Sequence, residues 1–278
     1  MASGEAGTPV RARREPGTRQ RRLSRERIAA AALDIADREG FDAVSMRRLA
    51  ADLDAGTMSL YHHVRTKADL VALMDDALMA EALLAEGEMP PGWRAALTLI
   101  ARRTWALLVR HSWALGAFQE SQFGPNAMRH FEQSLAAVDG TGLDPGERLE
   151  LLALVDGYVF GSALHAGESL RRAALACADP EAARAAVEAG VARLRTGAFP
   201  HIEALFGGGG PGHAGAGFAG PPLGAAGPPM ELEALRDQFD RGLQAVLDGA
   251  HARMGLPADA PASPWARAPG AAPAPGEP

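Results

Sequence analysis

Apolar residues recur every three to four positions through most of the chain, which is the spacing of one face of an α-helix. The first such pattern predicts a helix that runs to about Glu39, with Ser24 as its N-cap and Gly40 as its C-cap. Its apolar face consists of Ile28, Ala32, Ile35 and Ala36. No stretch alternates β-branched and polar residues as a strand does, and aromatic residues make up only 5% of the chain. We therefore expect an all-α fold.

Three further patterns follow closely. They predict short helices over 46–53 and 57–64, joined by a turn in which Gly56 is free to take a positive φ or to let the two helices approach closely. A longer helix then begins after Thr66, with Asp69 in the position of a capping-box acid. The N-caps expected for the two short helices are Ser45 and Thr57. Two short helices separated by a tight turn are the arrangement of a helix-turn-helix.

The rest of the chain holds longer helical patterns. They cover 92–110, 126–138, 146–173, 180–195 and 231–254. Three other segments are too poor in large apolar residues to bury a core. We expect a disordered arm at 1–22, a flexible Gly/Pro loop at 207–229 and a disordered tail at 256–278. The remaining chain is long enough for one sizeable core, or for a small domain and a larger one.

Charge is distributed unevenly along this chain of net charge −6. Residues 1–22 hold six arginines and two glutamates, whereas 23–67 hold seven basic and seven acidic residues. A basic arm beside a neutral small domain suits binding to nucleic acid, and a solvated tail is the alternative interpretation. The single cysteine, Cys177, excludes a disulfide framework within the chain and fits a reducing cytoplasm. No apolar run reaches membrane-spanning length, so we expect no membrane partner.

One segment carries a family resemblance: residues 45–70 read SMRRLAADLDAGTMSLYHHVRTKADL. They closely resemble the signature of the TetR family of bacterial transcription regulators, above all in LYHHV at 60–64, then Lys67 and Leu70. The resemblance is specific over roughly fifty residues and extends more weakly into the C-terminal half, where the helices are laid out as in the tetracycline-repressor subgroup. It implies a helix-turn-helix DNA-binding domain at 23–69 and an effector-binding and dimerisation domain at 70–255.

The second helix of a helix-turn-helix enters the major groove of DNA, and its N-terminal side chains meet base edges. The residues that begin this helix here are Thr57, Met58 and Ser59. The resemblance implies phosphate contacts from Tyr61 and His63, with His62 near bases or sugars. Packing between helices stays open for Tyr61, and a core position for Met58. His62 and His63 do not suit a metal ion, because adjacent helical residues point about 100° apart.

Residues outside this helix complete the expected DNA-binding surface. Lys67 begins the fourth helix, whose N-terminal dipole also favours a phosphate. Arg47 has the length and the paired donors to reach a guanine edge, and Ser45 is placed to hold a phosphate. The arginine-rich arm is expected along the DNA backbone or in an adjacent minor groove.

The C-terminal half holds the expected dimer interface. The helix predicted over 146–173 is apolar over more than one face, and its Gly157 and Gly161 permit close packing. By resemblance, this helix and the final helix of each subunit form the four-helix interface of a homodimer, with an ordinary core within one chain as the alternative. A dimer presents two recognition helices about 34–36 Å apart, so the expected partner is double-stranded DNA with a palindromic operator.

The resemblance also implies a pocket for a small-molecule effector. The aromatic and histidine residues on the helices that surround it are Trp105, Trp113, Phe118, Phe123, His130 and Phe131. Asp156 and His165 lie in the apolar helix and are further candidates, while an ordinary core position is the alternative for each ring. Tetracycline repressors hold a magnesium-bound drug through a histidine, and Phe118 stands in its place here. We therefore expect a mainly apolar effector, no metal site and no cofactor.

These features predict a ligand-responsive transcription regulator, in the first place a repressor that leaves its operator when the effector binds. An activator, or a helical enzyme or scaffold that carries a DNA-binding module, remains open. The chain lacks a Gly-x-Ser-x-Gly elbow, and the Gly-rich run at 207–210 is not followed by the Lys and Ser/Thr of a phosphate loop. We expect no enzyme activity.

Overall fold

The computed structural model describes residues 23–117, 124–194, 196–207 and 231–257. Over these residues the fold is all-α, which confirms the expectation from the sequence. The N-terminal helices are α1 (Arg25–Glu39), α2 (Met46–Asp52), α3 (Thr57–Tyr61) and α4 (Lys67–Ala82), with a 3₁₀ helix at Phe41–Ala43. The remaining helices are α5 (Trp93–Arg110), α6 (Ala114–Ala117), α7 (Pro125–Val138), α8 (Pro145–Ala178), α9 (Pro180–Leu194), α10 (Pro200–Gly207) and α11 (Leu232–Met254). The expectations for Phe118, Phe123, the arm, almost all of the loop and nearly all of the tail lie outside the described residues.

Local hydrogen bonds start the N-terminal helices where the sequence predicts them. The side chains of Ser24 and Ser45 each accept a hydrogen bond from the backbone N–H three residues on. At the start of α4, Thr66 Oγ1 accepts from the Asp69 N–H and Asp69 Oδ2 accepts from the Thr66 N–H, both at 3.0 Å. This reciprocal pair is the expected capping box, and it satisfies donors that a helix N-terminus leaves free.

In the turn between α2 and α3, Gly56 does not take the positive φ that the sequence allows it. The positive φ belongs to Asp54, at 48°, whereas Gly56 has a φ of −71° and is the N-cap of α3. Aspartate tolerates the left-handed region better than most residues, because its short polar side chain can hydrogen-bond locally. Thr57 is therefore the first helical residue rather than the cap, and α3 ends at Tyr61 instead of near residue 64.

Two C-terminal elements also depart from the predicted pattern. α8 continues to Ala178, beyond the predicted end near residue 173. α10 lies in a stretch for which the periodicity indicates no helix. Pro200 opens α10, and proline suits the first turn because the N–H it lacks would have no partner there.

The N-terminus of α7 is capped by a side chain from α4. Asp76 Oδ1 accepts the backbone N–H of Asn126 at 2.7 Å, and the Asn126 side-chain amide donates to Asp76 Oδ2 at 3.0 Å. A Cβ at Gly124 would overlap the Asp76 carboxylate, so this position requires glycine. The dipole of α7 stabilises a carboxylate at this end, and the contact holds α4 against α7.

Buried apolar residues form two cores. The N-terminal core lies among α1 to α4 and includes two residues from further along the chain, Leu107 of α5 and Ala114 of α6. The C-terminal core contains a stack of three rings: Trp105 and Phe239 have centres 4.9 Å apart, and Phe239 and Tyr158 have centres 5.6 Å apart. Because Leu107 and Ala114 enter the first core, the end of α5 and α6 pack directly against the helix-turn-helix.

α8 is apolar on two sides. One side lies in the C-terminal core through residues such as Leu151 and Val159. The other side leaves large apolar side chains exposed, namely Leu154, Phe160 and Leu164. By length and composition alone α8 is able to cross a membrane, which the sequence did not lead us to expect. A core helix meets the same criteria, and α8 packs against α5 and α11.

Candidate functional site

α3 presents an uncovered surface next to the N-terminal core. Leu60 is fully buried and fixes the orientation of the helix. On the outward side, Met58 is 73% exposed and Tyr61 is 44% exposed. The remaining outward residues of this helix are Thr57 and Ser59. Large side chains left in solvent beside a buried anchor are typical of a surface that binds a partner.

The end of α3 is tied to the first turn of α1. Arg25 Nη1 donates a hydrogen bond to the backbone carbonyl of His63 at 3.0 Å. His63 is half-buried at this point, whereas the neighbouring His62 is exposed. His62 is therefore the more accessible of the two imidazoles.

The start of α2 offers one uncommitted arginine. Arg48 pairs with Glu39 at 2.7 Å and with Asp52 at 3.4 Å, and its hydrogen bond holds the pKa of Glu39 below its usual value. Arg47 is exposed and forms no ion pair with any residue that the structure describes. Ser45 Oγ already accepts the capping hydrogen bond, which leaves its O–H free to donate to a phosphate. Arg47 is thus the arginine of α2 whose donors are not engaged in an ion pair among the described residues.

Lys67 at the start of α4 contacts an aromatic stack. It is exposed at the start of α4, and its Nζ lies 5.6 Å from the centre of the Phe41 ring, within range of a cation–π interaction. Phe41 in turn stacks on Trp113, with ring centres 5.8 Å apart and planes inclined by 7°. Trp113, an expected effector residue, therefore contacts the N-terminal part of the chain.

A cluster of polar side chains, which we term the interdomain joint, links α1 and α4 to the end of α5. Asp37 Oδ1 lies 2.6 Å from His111 Nδ1 and accepts the Trp113 indole N–H at 2.7 Å. Arg110 donates from Nε to His111 Nε2 at 2.9 Å and also pairs with Glu81 of α4. Because Nε2 accepts, the imidazole proton is on Nδ1 and is donated to Asp37.

Trp105 and His130 lie on the neighbouring helices α5 and α7. Trp105 is buried, and its indole N–H lacks a hydrogen-bond partner among the described residues. His130 Nε2 is 3.0 Å from Thr104 Oγ1, whose proton is donated to the Ile100 carbonyl, so the imidazole is the donor. Burial lowers the pKa of His130, which keeps the ring neutral at neutral pH. An unpaired buried N–H is unfavourable, which makes Trp105 a candidate donor to a ligand.

Three further predicted effector residues lie on α7 and α8. Phe131 is partly exposed on α7. Asp156 lies at the surface of α8, where partial desolvation raises its pKa to about 6. His165 lines a cavity of about 320 Å³ between α8 and α11, whose other lining residues include Gly157, Gly161 and Gln238. Within the described part of the chain, no group of three or more His, Cys, Asp or Glu side chains is arranged to hold a metal ion.

Comparison with known proteins decides the family. The model for bacterial regulatory proteins of the tetR family matches residues 28–74, and the model for the tetracyclin repressor-like C-terminal domain matches residues 86–207. The chain is 39% identical over 187 residues to the HTH-type transcriptional repressor DrrR1 of Streptomyces coeruleorubidus. The aligned region covers 66% of this chain and 68% of that protein. It is 31% identical over 235 residues to an HTH-type transcriptional regulator of Saccharopolyspora erythraea, covering 84% and 87% of the two chains. This chain belongs to the TetR family.

Membership identifies the protein as a DNA-binding transcriptional regulator, and it confirms the resemblance seen in residues 45–70. The weaker resemblance of the C-terminal half is also confirmed, up to residue 207. Among solved structures, ActR of Streptomyces coelicolor in complex with actinorhodin superposes with a TM-score of 0.61 at 25% identity, over 85% of this chain and 98% of that one.

The TetR-family signature gives no indication of the interdomain joint. Asp37 and His111 are 74 positions apart, and no local pattern relates them. The one signal in the sequence is that His111, a polar residue, comes directly after a long apolar helix. The structure shows that His111 is buried. A polar residue at a helix end is usually solvated, so its burial becomes visible only in the structure.

Asp156→Asn is expected to stabilise this TetR-family protein above about pH 6. The carboxyl titrates near 3.8 in its unperturbed state and near 6 in the fold, so the protonated form favours folding. That contribution is complete below pH 4 and is lost as the pH rises through 6. Since the carboxyl is partly solvated, we expect a Tm gain of only ~2–4 °C at pH 7.5, shrinking towards pH 4. Equal melting temperatures for both proteins across this pH range would contradict the assignment.

Proposed function

We propose that the protein is a homodimeric, cytoplasmic repressor that binds a palindromic operator and leaves it when a mainly apolar small molecule binds the C-terminal domain. The observation that carries the proposal is the exposed side of α3, held outward by the fully buried Leu60. Met58 and Tyr61 on that side stay exposed to solvent, so packing within the described chain does not explain why large side chains stand there. We assign the protein no catalytic activity, since its relatives are regulators.

The outward side of α8 supports a homodimer. Phe160 and Leu164 are about half exposed there, and Gly157 and Gly161 leave open space beside them. An interface between two copies related by a two-fold axis must be complementary to itself, which suits a surface carrying both protruding and recessed positions. Two copies joined along α8 and α11 would present both α3 helices to the same side of a duplex.

Three observations support a small-molecule effector in the C-terminal domain. The indole N–H of the buried Trp105 has no partner among the described residues, and His130 of α7 lies within hydrogen-bond distance of Thr104 on α5. Ligand sites are characteristically apolar with a few such polar groups. DrrR1 is a repressor, and ActR, whose fold matches this chain, has been crystallised with actinorhodin.

Tyr61→Ala and Lys67→Ala test the DNA-binding surface. We expect each variant to bind a duplex carrying the protein's own upstream intergenic sequence roughly tenfold more weakly. Lys67→Ala should also release about two fewer ions on binding, because each subunit of the dimer loses one cation that neutralises a phosphate, whereas the uncharged Tyr61 should leave ion release unchanged when it is replaced. Affinity is measured by mobility shift at several salt concentrations, with sedimentation to show that the dimer is intact. Met128→Ala, at an exposed apolar position on α7, is the matched control. If both Tyr61→Ala and Lys67→Ala bound the duplex with wild-type affinity, the proposed DNA-binding surface would be contradicted.

The effector is found by a thermal-shift screen, because a ligand that binds only the folded state raises its Tm. Compounds that raise the Tm are then added to the protein–duplex complex, and the proposal predicts loss of the shifted band. Trp105→Phe keeps the stack on Phe239 but removes the indole N–H, so it should weaken the response to such compounds without changing DNA affinity. Compounds that stabilise the protein but never displace DNA would contradict a ligand-released repressor.

A further inference from the structure

The interdomain joint lies between the part of the molecule that binds DNA and the part proposed to bind the effector. We propose that Asp37 is a positioning residue for DNA binding: through His111 and Trp113 it fixes the Phe41 ring, and through that ring it holds Lys67 in place for a phosphate. This inference rests on the proposed function, because it assigns the route by which the C-terminal domain influences the operator surface.

The joint is held by charge-assisted hydrogen bonds on a single oxygen. Asp37 Oδ1 receives the indole N–H of Trp113 at 2.7 Å and lies 2.6 Å from His111 Nδ1. His111 is buried, and its other nitrogen is occupied by Arg110. Loss of the Asp37 carboxylate would leave two donors unpaired, one of them buried, and this is more unfavourable than losing both partners of a bond.

The same tryptophan connects the joint to the DNA-facing side. Trp113 uses its N–H for Asp37 and its ring face for Phe41, with the two ring planes only 7° from parallel. Phe41 carries Lys67 on its ring, at 5.6 Å. Lys67 is thereby restrained before DNA arrives, and a side chain ordered in advance loses less conformational entropy on binding.

The opposite end of the route lies at the end of α5. His111 and Trp113 follow α5 directly, and that helix also carries Trp105 and Thr104, the partner of His130. A ligand that displaces the end of α5 would therefore move the two donors that Asp37 holds. Glu81 of α4 pairs with Arg110 and also lies near His111. The same displacement of α5 would therefore move α4 together with α1.

A double-mutant cycle between Asp37 and Lys67 tests the inference, using full-length protein and the upstream intergenic duplex. Asp37→Ala and Lys67→Ala should each weaken binding roughly tenfold. The double variant should also lose only about tenfold in affinity relative to wild type, whereas independent effects would multiply to about a hundredfold. Asp37→Ala should also lower the salt dependence by the contribution of one phosphate contact in each subunit, as Lys67→Ala does. Trp113→Phe, which keeps the stack but not the N–H, should give a smaller loss. Asp34→Ala, on the same helix and paired only with Arg38 among the described residues, is the control and should bind as wild type does.

The outcomes separate the two proposals. If the losses multiply in the double variant, or if Asp37→Ala binds with wild-type affinity, the positioning role is overturned. The operator site still stands in both cases, provided that the wild-type protein binds the duplex. A loss of affinity with unchanged salt dependence would likewise overturn it, because it would indicate only a structural defect. If the wild type itself shows no preference for this duplex, the proposed function fails, and the inference fails with it.

Discussion

Leu164→Glu is expected to leave the chain folded but monomeric, and to weaken operator binding by ~100-fold or more. Leu164 is 55% exposed on the outward side of α8, so the single chain accommodates a glutamate without disturbing its core. In the proposed dimer the two-fold axis brings two such charges into one apolar interface, where both would be desolvated without a partner. A monomer then contributes one recognition helix instead of two.

Sedimentation gives the oligomeric state of the Leu164→Glu variant, and a mobility-shift titration gives its affinity for DNA. Met128→Glu is the matched control, because it places the same charge at a comparably exposed apolar position on α7, and it should remain a dimer with full affinity. A Leu164→Glu protein that stays dimeric would place the interface elsewhere. A monomer that binds the operator as tightly as wild type would contradict the role of dimerisation.

Phe239→Ala is expected to lower the free energy of unfolding by ~3–5 kcal/mol, the largest loss of stability that we predict for a single residue. The Phe239 ring is buried between those of Trp105 and Tyr158, so its removal leaves a cavity and two rings without their stacking partner. The surrounding helices are tightly fixed: Tyr158 donates from its O–H to the Phe239 carbonyl at 2.9 Å, and a Cβ at Gly242 would overlap Tyr158. The site therefore has little freedom to close over the cavity.

Thermal unfolding should show a Tm lower by ~10 °C for Phe239→Ala, given the usual relation for a chain of this size. Leu232→Ala, at an exposed position near the start of the same helix, should change the Tm by no more than ~1–2 °C. A loss below ~1 kcal/mol at Phe239 would show that this ring does not anchor α11 to the core.

Features determined by nearby residues could be predicted from the sequence. The caps at Ser24 and Ser45 and the capping box at Thr66 depend on contacts three positions apart, so a local motif is enough to identify them. The outward orientation of Tyr61 on α3 follows from the same kind of periodicity. The left-handed residue of the turn is an exception. Both Asp54 and Gly56 tolerate such a backbone, so the local sequence alone does not decide between them.

Features that join distant parts of the chain could not be predicted in this way. Nothing near Asp76 marks it as the cap of a helix 50 positions later. Trp113 shows the same limit at the candidate site: an aromatic residue after α5 suits an effector pocket and a contact with α1 equally well. The structure places its indole against Asp37 and Phe41. Family resemblance identifies which helices surround a pocket, but side-chain directions after a helix break depend on tertiary packing.

A DNase footprint of the full-length protein on its own upstream intergenic DNA, at physiological salt, tests the central claim most directly. We predict one protected region whose two half-sites are related by a two-fold axis and centred about one helical turn, 34–36 Å, or a multiple of it, apart. Protection should disappear in the Tyr61→Ala protein at the concentration that saturates wild type. No protected region, or a footprint over a single unrepeated half-site, would contradict a dimer that reads DNA through α3.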